Sequence, residues 1–193
     1  METAKIERKT RETQISLELN KNGIGEVSIS TGIGFFDHML NSFACHSGID
    51  MKLIVKGDLQ VDSHHTIEDT GIVIGMALKE LLADKKGIAR FGNSYIPMDE
   101  SLAFCAVDIS GRPFLVYDAE FKGRKCGEFD TCMAQEFFRA VAYNAGITLH
   151  IKAVYGSNDH HKIEAMFKAF AYALKQGMEK NKDNSLKSTK GIL

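Results

Sequence analysis

The chain has 193 residues, of which 44% are hydrophobic and 25% are charged, and its formal net charge is −1. This length suits one domain or two small halves that share a core, and the near-zero charge argues against bulk electrostatic attraction to nucleic acid or to an anionic membrane. The sequence shows neither an apolar N-terminal segment nor a stretch of roughly 18 apolar residues, so it predicts no signal peptide and no membrane span. Its four cysteines form neither a C-x-x-C pair nor a disulfide framework, which favours reduced, mostly buried thiols in the cytoplasm.

In the first half of the chain, the spacing of apolar residues predicts two strands joined as a hairpin, then a helix, a strand and a second helix. Lys21-Asn22-Gly23 supplies the predicted hairpin turn, and Gly48 is predicted to end the first helix. These elements are expected over residues 15–19, 27–29, 35–48, 51–55 and 66–83.

The second half repeats this order of elements. Two strands are predicted around the turn Gly111-Arg112-Pro113, and a helix that ends at Gly146 follows them. A strand and a last helix complete the repeat. These elements are expected over residues 102–109, 114–121, 133–144, 147–151 and 160–178.

The two halves also match residue by residue. A constant shift aligns Gly48-Ile49 with Gly146-Ile147 and His38 with Glu136, and after a short gap a second shift aligns two His-His-x-x-Glu motifs. We infer an internal duplication. The predicted fold class is α+β, with halves at 1–90 and 91–193, each a small β-sheet with two helices on one face, and with the helices packed between the sheets.

The motif His-His-x-x-Glu occurs at residues 64–68 and again at 160–164. At a helix start, either histidine can share a face with the glutamate, whereas adjacent histidines point about 100° apart and do not readily hold one ion. A single copy is most often surface decoration, with a carboxylate near the positive end of the helix dipole. Two copies in register instead favour a pair of metal ions, and imidazole with carboxylate but no thiolate points to Mn, Fe or Zn.

Six longer motifs occur in order along the chain: F-F-D-H-M-L (35–40), D-S-H-H-T-I-E-D (62–69), P-M-D-E (97–100), D-I-S-G-R-P (108–113), N-D-H-H-K-I-E-A-x-F-K-A-F (158–170) and S-T-K-G-I-L (188–193). Together they resemble the imidazoleglycerol-phosphate dehydratase family of histidine biosynthesis. The resemblance implies a ribosomal protein S5 domain 2-like fold and the dehydration of D-erythro-1-(imidazol-4-yl)glycerol 3-phosphate to imidazole acetol phosphate. It also implies two Mn²⁺ ions per active site and a homo-oligomeric cage of twenty-four subunits with active sites between them.

The resemblance further implies a set of metal ligands. This chain has Glu136 where many relatives have His, and because Glu can ligate Mn through oxygen we predict Glu136 as a ligand as well. The predicted ligands are His38, His64, His65, Glu68, Glu136, His160, His161 and Glu164.

The catalytic and substrate-binding residues are likewise carried over from the resemblance. Glu12 is predicted as the general acid/base, with Glu68 and Glu164 as further catalytic residues, and a C-terminal tail from about residue 180, mobile without ligand, is expected to close over the phosphate. Judged alone, most of these positions are more simply solvated surface charges. The predicted substrate-binding residues are Glu12, His38, His46, His64, Glu68, Arg90, Arg112, His160, Ser188, Thr189 and Lys190.

Two other classes of function compete with this interpretation. Paired metal ions also activate water in phosphoester hydrolases, and a duplicated α+β sheet can be a binding or assembly module whose histidines hold metal structurally. The phosphorylated small-molecule substrate, rather than nucleic acid or membrane, remains the expected partner.

Overall fold

The computed structural model describes residues 2–181 and 185–191. The first half contains four strands and two helices, and the second half contains the same set with an additional short hairpin. In chain order the elements are β1 (Thr3–Lys9), β2 (Thr13–Asn20), β3 (Val27–Ser30), α1 (Gly34–Ser47), β4 (Asp50–Gly57), α2 (His64–Leu82), β5 (Phe91–Met98), β6 (Ser101–Asp108), β7 (Phe114–Asp118), β8 (Lys125–Cys126), β9 (Phe129–Asp130), α3 (Met133–Ala145), β10 (Thr148–Tyr155) and α4 (Asp159–Met178).

The two four-stranded sheets have the same topology. Their strand orders are β1-β2-β4-β3 and β5-β6-β10-β7, and in each sheet the last strand runs parallel to its neighbour while the other pairs are antiparallel. Helices α1 and α3 both end at a glycine in the left-handed conformation, Gly48 and Gly146. This correspondence is what an internal duplication predicts.

The four helices lie between the two sheets and share one hydrophobic core. Helix α2 covers β1 and β2, α4 covers β5 and β6, and across the middle α1 packs on α4 while α2 packs on α3. Phe43 stacks on Phe170, and Phe137 stacks on Phe167, with ring centroids 5.3 and 5.0 Å apart. The predicted α+β class is confirmed, and neither half could bury its helices in this way alone.

Helices α2 and α3 approach each other closely because α2 has glycine where it crosses α3. A Cβ on Gly71 would lie 2.9 Å from the carbonyl oxygen of Phe137, and one on Gly75 would lie 2.8 Å from that of Val141. Both positions therefore exclude a larger side chain. The close crossing brings the first turns of α2 and α3 together, and these turns carry predicted site residues.

The predicted hairpin of the first half is wrong, and the sequence analysis missed two edge strands. Strands β2 and β3 do not form a hairpin, because β4 lies between them, and β10 separates β6 from β7 in the same way. The edge strands β1 and β5 were not predicted, since β1 buries only Ala4 and Ile6 and β5 buries only Gly92, so neither has a clear apolar stripe. Alternation reports which face of a strand is buried but not which strand lies beside it.

The four cysteines are free, as predicted, but only Cys105 is buried, so the expectation of mostly buried thiols is wrong. In the part of the chain that the structure describes, no helix combines the length and the apolar character needed to cross a bilayer. The predicted mobile tail includes residues 182–184 and 192–193, which lie outside the described residues.

Candidate active site

Both His-His-x-x-Glu motifs lie at the start of a helix, as the sequence predicts. At α4, the side chain of Asn158 accepts hydrogen bonds from the backbone N–H groups of His160 and His161. At α2, the carboxylate of Asp62 accepts one from the N–H of His64 at 2.7 Å. These contacts satisfy backbone N–H groups that have no partner inside the helix. They therefore hold the first turn of each helix, which carries the histidines.

The first cluster joins α1 to α4. Oε2 of Glu164 lies 3.2 Å from Nε2 of His38 and 3.1 Å from Nε2 of His160, and one donor atom from each of the three residues lies within 4.8 Å of the others. Ligand atoms around one ion are spaced about 3 Å apart when the metal–ligand bonds are about 2.1 Å. Two imidazoles and one carboxylate therefore fit a divalent cation.

The surroundings of Glu164 keep its carboxylate ionised and direct one oxygen at the histidines. Its side chain is 7% exposed, and Lys168 one turn along α4 contacts the other oxygen, Oε1, at 2.7 Å. Burial raises the pKa of Glu164, but the hydrogen bond and charge of Lys168, together with His38, hold the pKa below its ordinary value. The carboxylate is therefore ionised at neutral pH, with Oε2 facing the histidines.

The second cluster joins α2 to α3 and is built differently. Nε2 of His64 lies 3.2 Å from Oε2 of Glu68, as in the first cluster. Glu136, however, contacts Arg139 rather than a histidine, and the same guanidinium reaches Oε1 of Glu68 at 3.3 Å. Among the described residues, the only group of three or more His, Cys, Asp or Glu with donor atoms within 4.8 Å is the first cluster.

The second histidine of each motif is oriented by a carboxylate. Nδ1 of His65 donates to Asp58 at 3.0 Å, and Nδ1 of His161 donates to Glu100 at 2.8 Å. Hydrogen bonds from the imidazoles to these carboxylates raise the pKa of His65 and of His161. In both rings the bond fixes the tautomer and leaves Nε2 as the nitrogen that can ligate a metal.

Glu12 lies in the loop between β1 and β2, half exposed, with Oε1 3.7 Å from Nε2 of His65. The hydroxyl of Thr10 accepts hydrogen bonds from the backbone N–H groups of Glu12 and Thr13 at 3.1 and 2.9 Å. The hydroxyl of Thr13 in turn donates to buried Asp69, which follows Glu68 on α2. The loop that carries Glu12 is thus tied to the helix that carries a predicted ligand.

The two predicted phosphate-binding arginines meet at one aspartate. Arg90 donates from Nε and Nη2 to Asp108 at 2.7 and 3.1 Å, and Arg112 donates to the same carboxylate at 3.4 Å. Arg90 also donates from Nη1 to the carbonyl oxygen of Lys187 at 2.6 Å. This bond brings the segment with Ser188, Thr189 and Lys190 next to the arginines.

His46, the remaining predicted substrate-binding residue, lies near the end of α1. Its Nδ1 is 3.3 Å from the hydroxyl of Tyr172 on α4. Burial, followed by the positive charge of Lys168, lowers the pKa of His46. The imidazole is therefore neutral at pH 7 and can accept or donate a hydrogen bond.

Three residues that contact the predicted ligands were not identified from the sequence: Arg139, Lys168 and Asp58. Lys168 lies one helical turn from Glu164, so its spacing was a visible signal. Arg139 lies one turn from Glu136, but its contact with Glu68 depends on how α2 packs on α3. The contact of Asp58 with His65 depends on the course of the loop before α2, for which the sequence has no clear signal.

Comparison with known proteins assigns nearly the whole chain to the same family. A sequence model described as imidazoleglycerol-phosphate dehydratase matches residues 31–174. The imidazoleglycerol-phosphate dehydratase of Acetivibrio thermocellus is 57% identical over 189 residues, which cover 97% of each chain. That of Clostridium acetobutylicum is 56% identical over 192 residues, which cover 99% of this chain and 98% of the relative.

Solved structures agree with the sequence comparison. The crystal structure of imidazoleglycerol-phosphate dehydratase from Staphylococcus aureus is 44% identical, has a TM-score of 0.85 and covers 93% of this chain and 99% of its own. The corresponding structure from Pyrococcus furiosus is 38% identical, also has a TM-score of 0.85, and covers 97% and 100% of the two chains. At these identities the similarity extends beyond the fold.

Proposed function

This chain belongs to the imidazoleglycerol-phosphate dehydratase family and is a hydro-lyase of histidine biosynthesis, and we propose that its dehydration of imidazole glycerol phosphate takes place at a two-metal site assembled from two clusters. The first cluster is His38, His160 and Glu164, and the second is His64, Glu68 and Glu136. As an enzyme of amino-acid biosynthesis, it is proposed to act in the cytoplasm.

One observation carries the metal site. A single carboxylate oxygen of Glu164 lies between the Nε2 atoms of His38 and His160, at 3.2 and 3.1 Å, while the other oxygen is taken by Lys168. A buried carboxylate and two imidazoles that converge in this way offer one negative charge and three lone pairs to a cation. His65 and His161, each with Nδ1 held by a carboxylate, are proposed to add their Nε2 atoms as further ligands.

The metal is proposed to be Mn²⁺, two ions per active site, because histidine and glutamate without thiolate suit octahedral Mn or Fe. When bound, the ions would supply positive charge that holds the imidazole ring of the substrate and stabilises the negative charge left by proton removal. The proton to be removed is not acidic, so this stabilisation is the main chemical demand of the reaction.

Glu12 is proposed as the residue that transfers this proton. It is exposed, lies 3.7 Å from the proposed ligand His65, and is anchored through its loop to α2. It would therefore lie beside a bound ion without being part of the first cluster. A carboxylate in reach of the reacting carbon contributes as general acid/base. Glu68 and Glu164 are proposed to act as ligands that hold the ions against the substrate.

The phosphate group is proposed to bind between the arginines and the tail. Arg90 and Arg112 present forked N–H groups that suit phosphate oxygens, and Asp108 holds both side chains at one place. The tail residues Ser188, Thr189 and Lys190 follow Lys187, whose carbonyl oxygen accepts from Arg90, and are proposed to add hydroxyl and ammonium donors. His46 is proposed to contact the substrate with its neutral imidazole.

The ligands of one chain form two separate clusters, and this supports a site shared between copies of the chain. We propose a homo-oligomer, a cage of twenty-four subunits, in which a cluster of one subunit meets the other cluster of its neighbour. Chelation should then reduce the particle size measured by light scattering. A monomer in the presence of metal would contradict shared sites.

An assay of imidazole acetol phosphate tests the function directly. Protein stripped of metal should be inactive, and Mn²⁺ or Fe²⁺ added separately should restore more activity than Zn²⁺. Release of inorganic phosphate without the ketone product would indicate a phosphoester hydrolase. Activity that persists in a folded His64→Ala variant would contradict the proposed site. The matched control is His150→Ala, which removes an exposed histidine of β10.

A further inference from the structure

Arg139 lies on α3, one turn after Glu136, and faces α2. Its Nε and Nη2 atoms contact Oε2 of Glu136 at 2.8 and 2.6 Å, and Nη2 also lies 3.3 Å from Oε1 of Glu68. One guanidinium therefore joins two carboxylates from different helices. Both carboxylates are proposed metal ligands.

Among the described residues, the first cluster has no cation that joins two carboxylates, although Lys168 contacts Glu164 at 2.7 Å. There His38 occupies the position that corresponds to Glu136, and an imidazole can share a hydrogen bond with the motif glutamate directly, as His38 does with Glu164 at 3.2 Å. Glutamate in place of histidine instead sets a carboxylate opposite Glu68. Two carboxylates facing each other repel, so the second cluster needs a positive charge between them. The lysine of the first cluster, Lys168, instead contacts a single carboxylate, Glu164, through the oxygen that the histidines do not contact.

We propose that Arg139 is a built-in counter-cation that competes with the metal ion for Glu136 and Glu68. This inference rests on the proposed function, because it concerns the metal affinity of the second cluster. An arginine keeps its charge at any accessible pH and cannot itself ligate a metal. Glu136 can therefore bind the ion with the oxygen that now contacts Arg139 only when the guanidinium has moved away.

The surroundings of Arg139 allow that movement. Its side chain is 52% exposed, and its neighbours along α3, Phe138 and Ala140, are buried and so point into the core instead. The guanidinium can turn into solvent without disturbing the helix. The two clusters should consequently differ in affinity, with the first cluster filling at lower metal concentration than the second.

The experiment measures Mn²⁺ binding by isothermal titration calorimetry on the complete chain, stripped of metal. We compare the wild type with Arg139→Gln, with Arg139→Lys, and with Arg124→Gln as the control, since Arg124 forms an exposed ion pair with Asp130 at 3.3 Å and contacts no proposed ligand. Loss of two exposed ion pairs should tighten the weaker class of sites by roughly three- to tenfold. The tighter class should be unchanged, and Arg139→Lys should fall between wild type and Arg139→Gln.

A second readout needs no metal. Without Arg139 the two carboxylates repel, so the midpoint of thermal unfolding of the metal-free protein should fall in Arg139→Gln and recover when Mn²⁺ is added. Arg124→Gln should show neither change. A purely structural arginine would lower the midpoint with and without metal alike, and that result would overturn the proposal.

The outcomes separate this inference from the function on which it rests. If the weaker class in Arg139→Gln binds Mn²⁺ as tightly as in the wild type, or less tightly, Arg139 does not compete with the ion. His160→Ala should abolish the tighter class. Retention of that class in His160→Ala would contradict the proposed metal site itself, whatever the behaviour of Arg139.

Discussion

Glu100, in the turn between β5 and β6, accepts a hydrogen bond from Nδ1 of His161 at the start of α4 at 2.8 Å. The same carboxylate accepts backbone N–H groups of Ser157 and Asn158 at 3.0 and 2.8 Å. Together these bonds, with that of the imidazole the largest contribution, lower the pKa of Glu100 far below its ordinary value. Glu100 thus orients a proposed ligand and the turn that precedes α4.

Glu100→Gln should weaken Mn²⁺ binding by about 10- to 100-fold, the usual effect of removing a carboxylate behind a metal-bound histidine. The amide keeps the shape of the side chain but loses the charge that makes the imidazole a stronger ligand. Titration calorimetry on the metal-free protein measures the change. Binding as tight as in the wild type would show that His161 does not ligate the ion.

The pH dependence of stability should reverse when metal is added. In the metal-free protein His65 and His161 have a raised pKa, so their ion pairs stabilise the fold fully below the unfolded pKa of about 6.5 and lose this effect as pH rises through the folded pKa. Metal needs both rings neutral, so its binding weakens as pH falls through the same raised values. Unfolding midpoints with chelator should therefore decrease from about pH 6 to about pH 8, and those with Mn²⁺ should increase.

The sequence predicted the helices better than the sheets, for a physical reason. Apolar residues at helical spacing and a terminal glycine, as in α1 and α3, are local signals, whereas the partner of a strand is decided by distant residues. The strands β2 and β3 were therefore predicted as a hairpin, although β4 separates them. The two strands predicted around Gly111 are likewise separated, by β10. The repeat itself was detectable because the Gly-Ile pairs after α1 and α3 survive in both halves.

The candidate site was likewise predictable from the sequence only where the signal is local. The histidines and glutamates of the two motifs were visible because their spacing within a single helical turn fixes their relation. The contact between Arg139 and Glu68 was not visible, since it exists only because Gly71 and Gly75 let α2 approach α3. The contact of Glu100 with His161 likewise depends on how the turn between β5 and β6 meets the start of α4.

Glu12→Gln should lower kcat by about 10²- to 10⁴-fold, the range expected when a general acid/base is removed. Mn²⁺ content should stay that of the wild type, because Glu12 lies 3.7 Å from His65 and is not a proposed ligand. Steady-state assay and metal analysis of the same sample measure both quantities. The control is Glu18→Gln, which removes an exposed carboxylate of β2 that pairs with Lys5 of β1. A loss of metal in Glu12→Gln would show that Glu12 is a metal ligand instead.

Gly71→Ala should destabilise the protein by about 1–3 kcal/mol, the usual cost of forcing extra atoms into a packed interior. The new methyl group would lie 2.9 Å from both the Phe137 carbonyl oxygen and the Ala140 side chain, so α2 and α3 must separate. Chemical unfolding measures the free energy. Gly34→Ala, at the start of α1 with no atom within 4 Å of the added carbon, should change it by less than about 0.5 kcal/mol.

Arg112→Ala should raise KM by roughly 10- to 100-fold with little change in kcat, because a charged hydrogen bond to a phosphate contributes about 1.5–3 kcal/mol. Arg112 is 71% exposed and shares Asp108 with Arg90, so its removal leaves the fold and the metal clusters intact. The same substitution should have no effect on a substrate analogue that lacks the phosphate group. Equal losses with both substrates would show that Arg112 acts on the imidazole end of the site or on the fold, and Arg124→Ala controls for the loss of an exposed arginine.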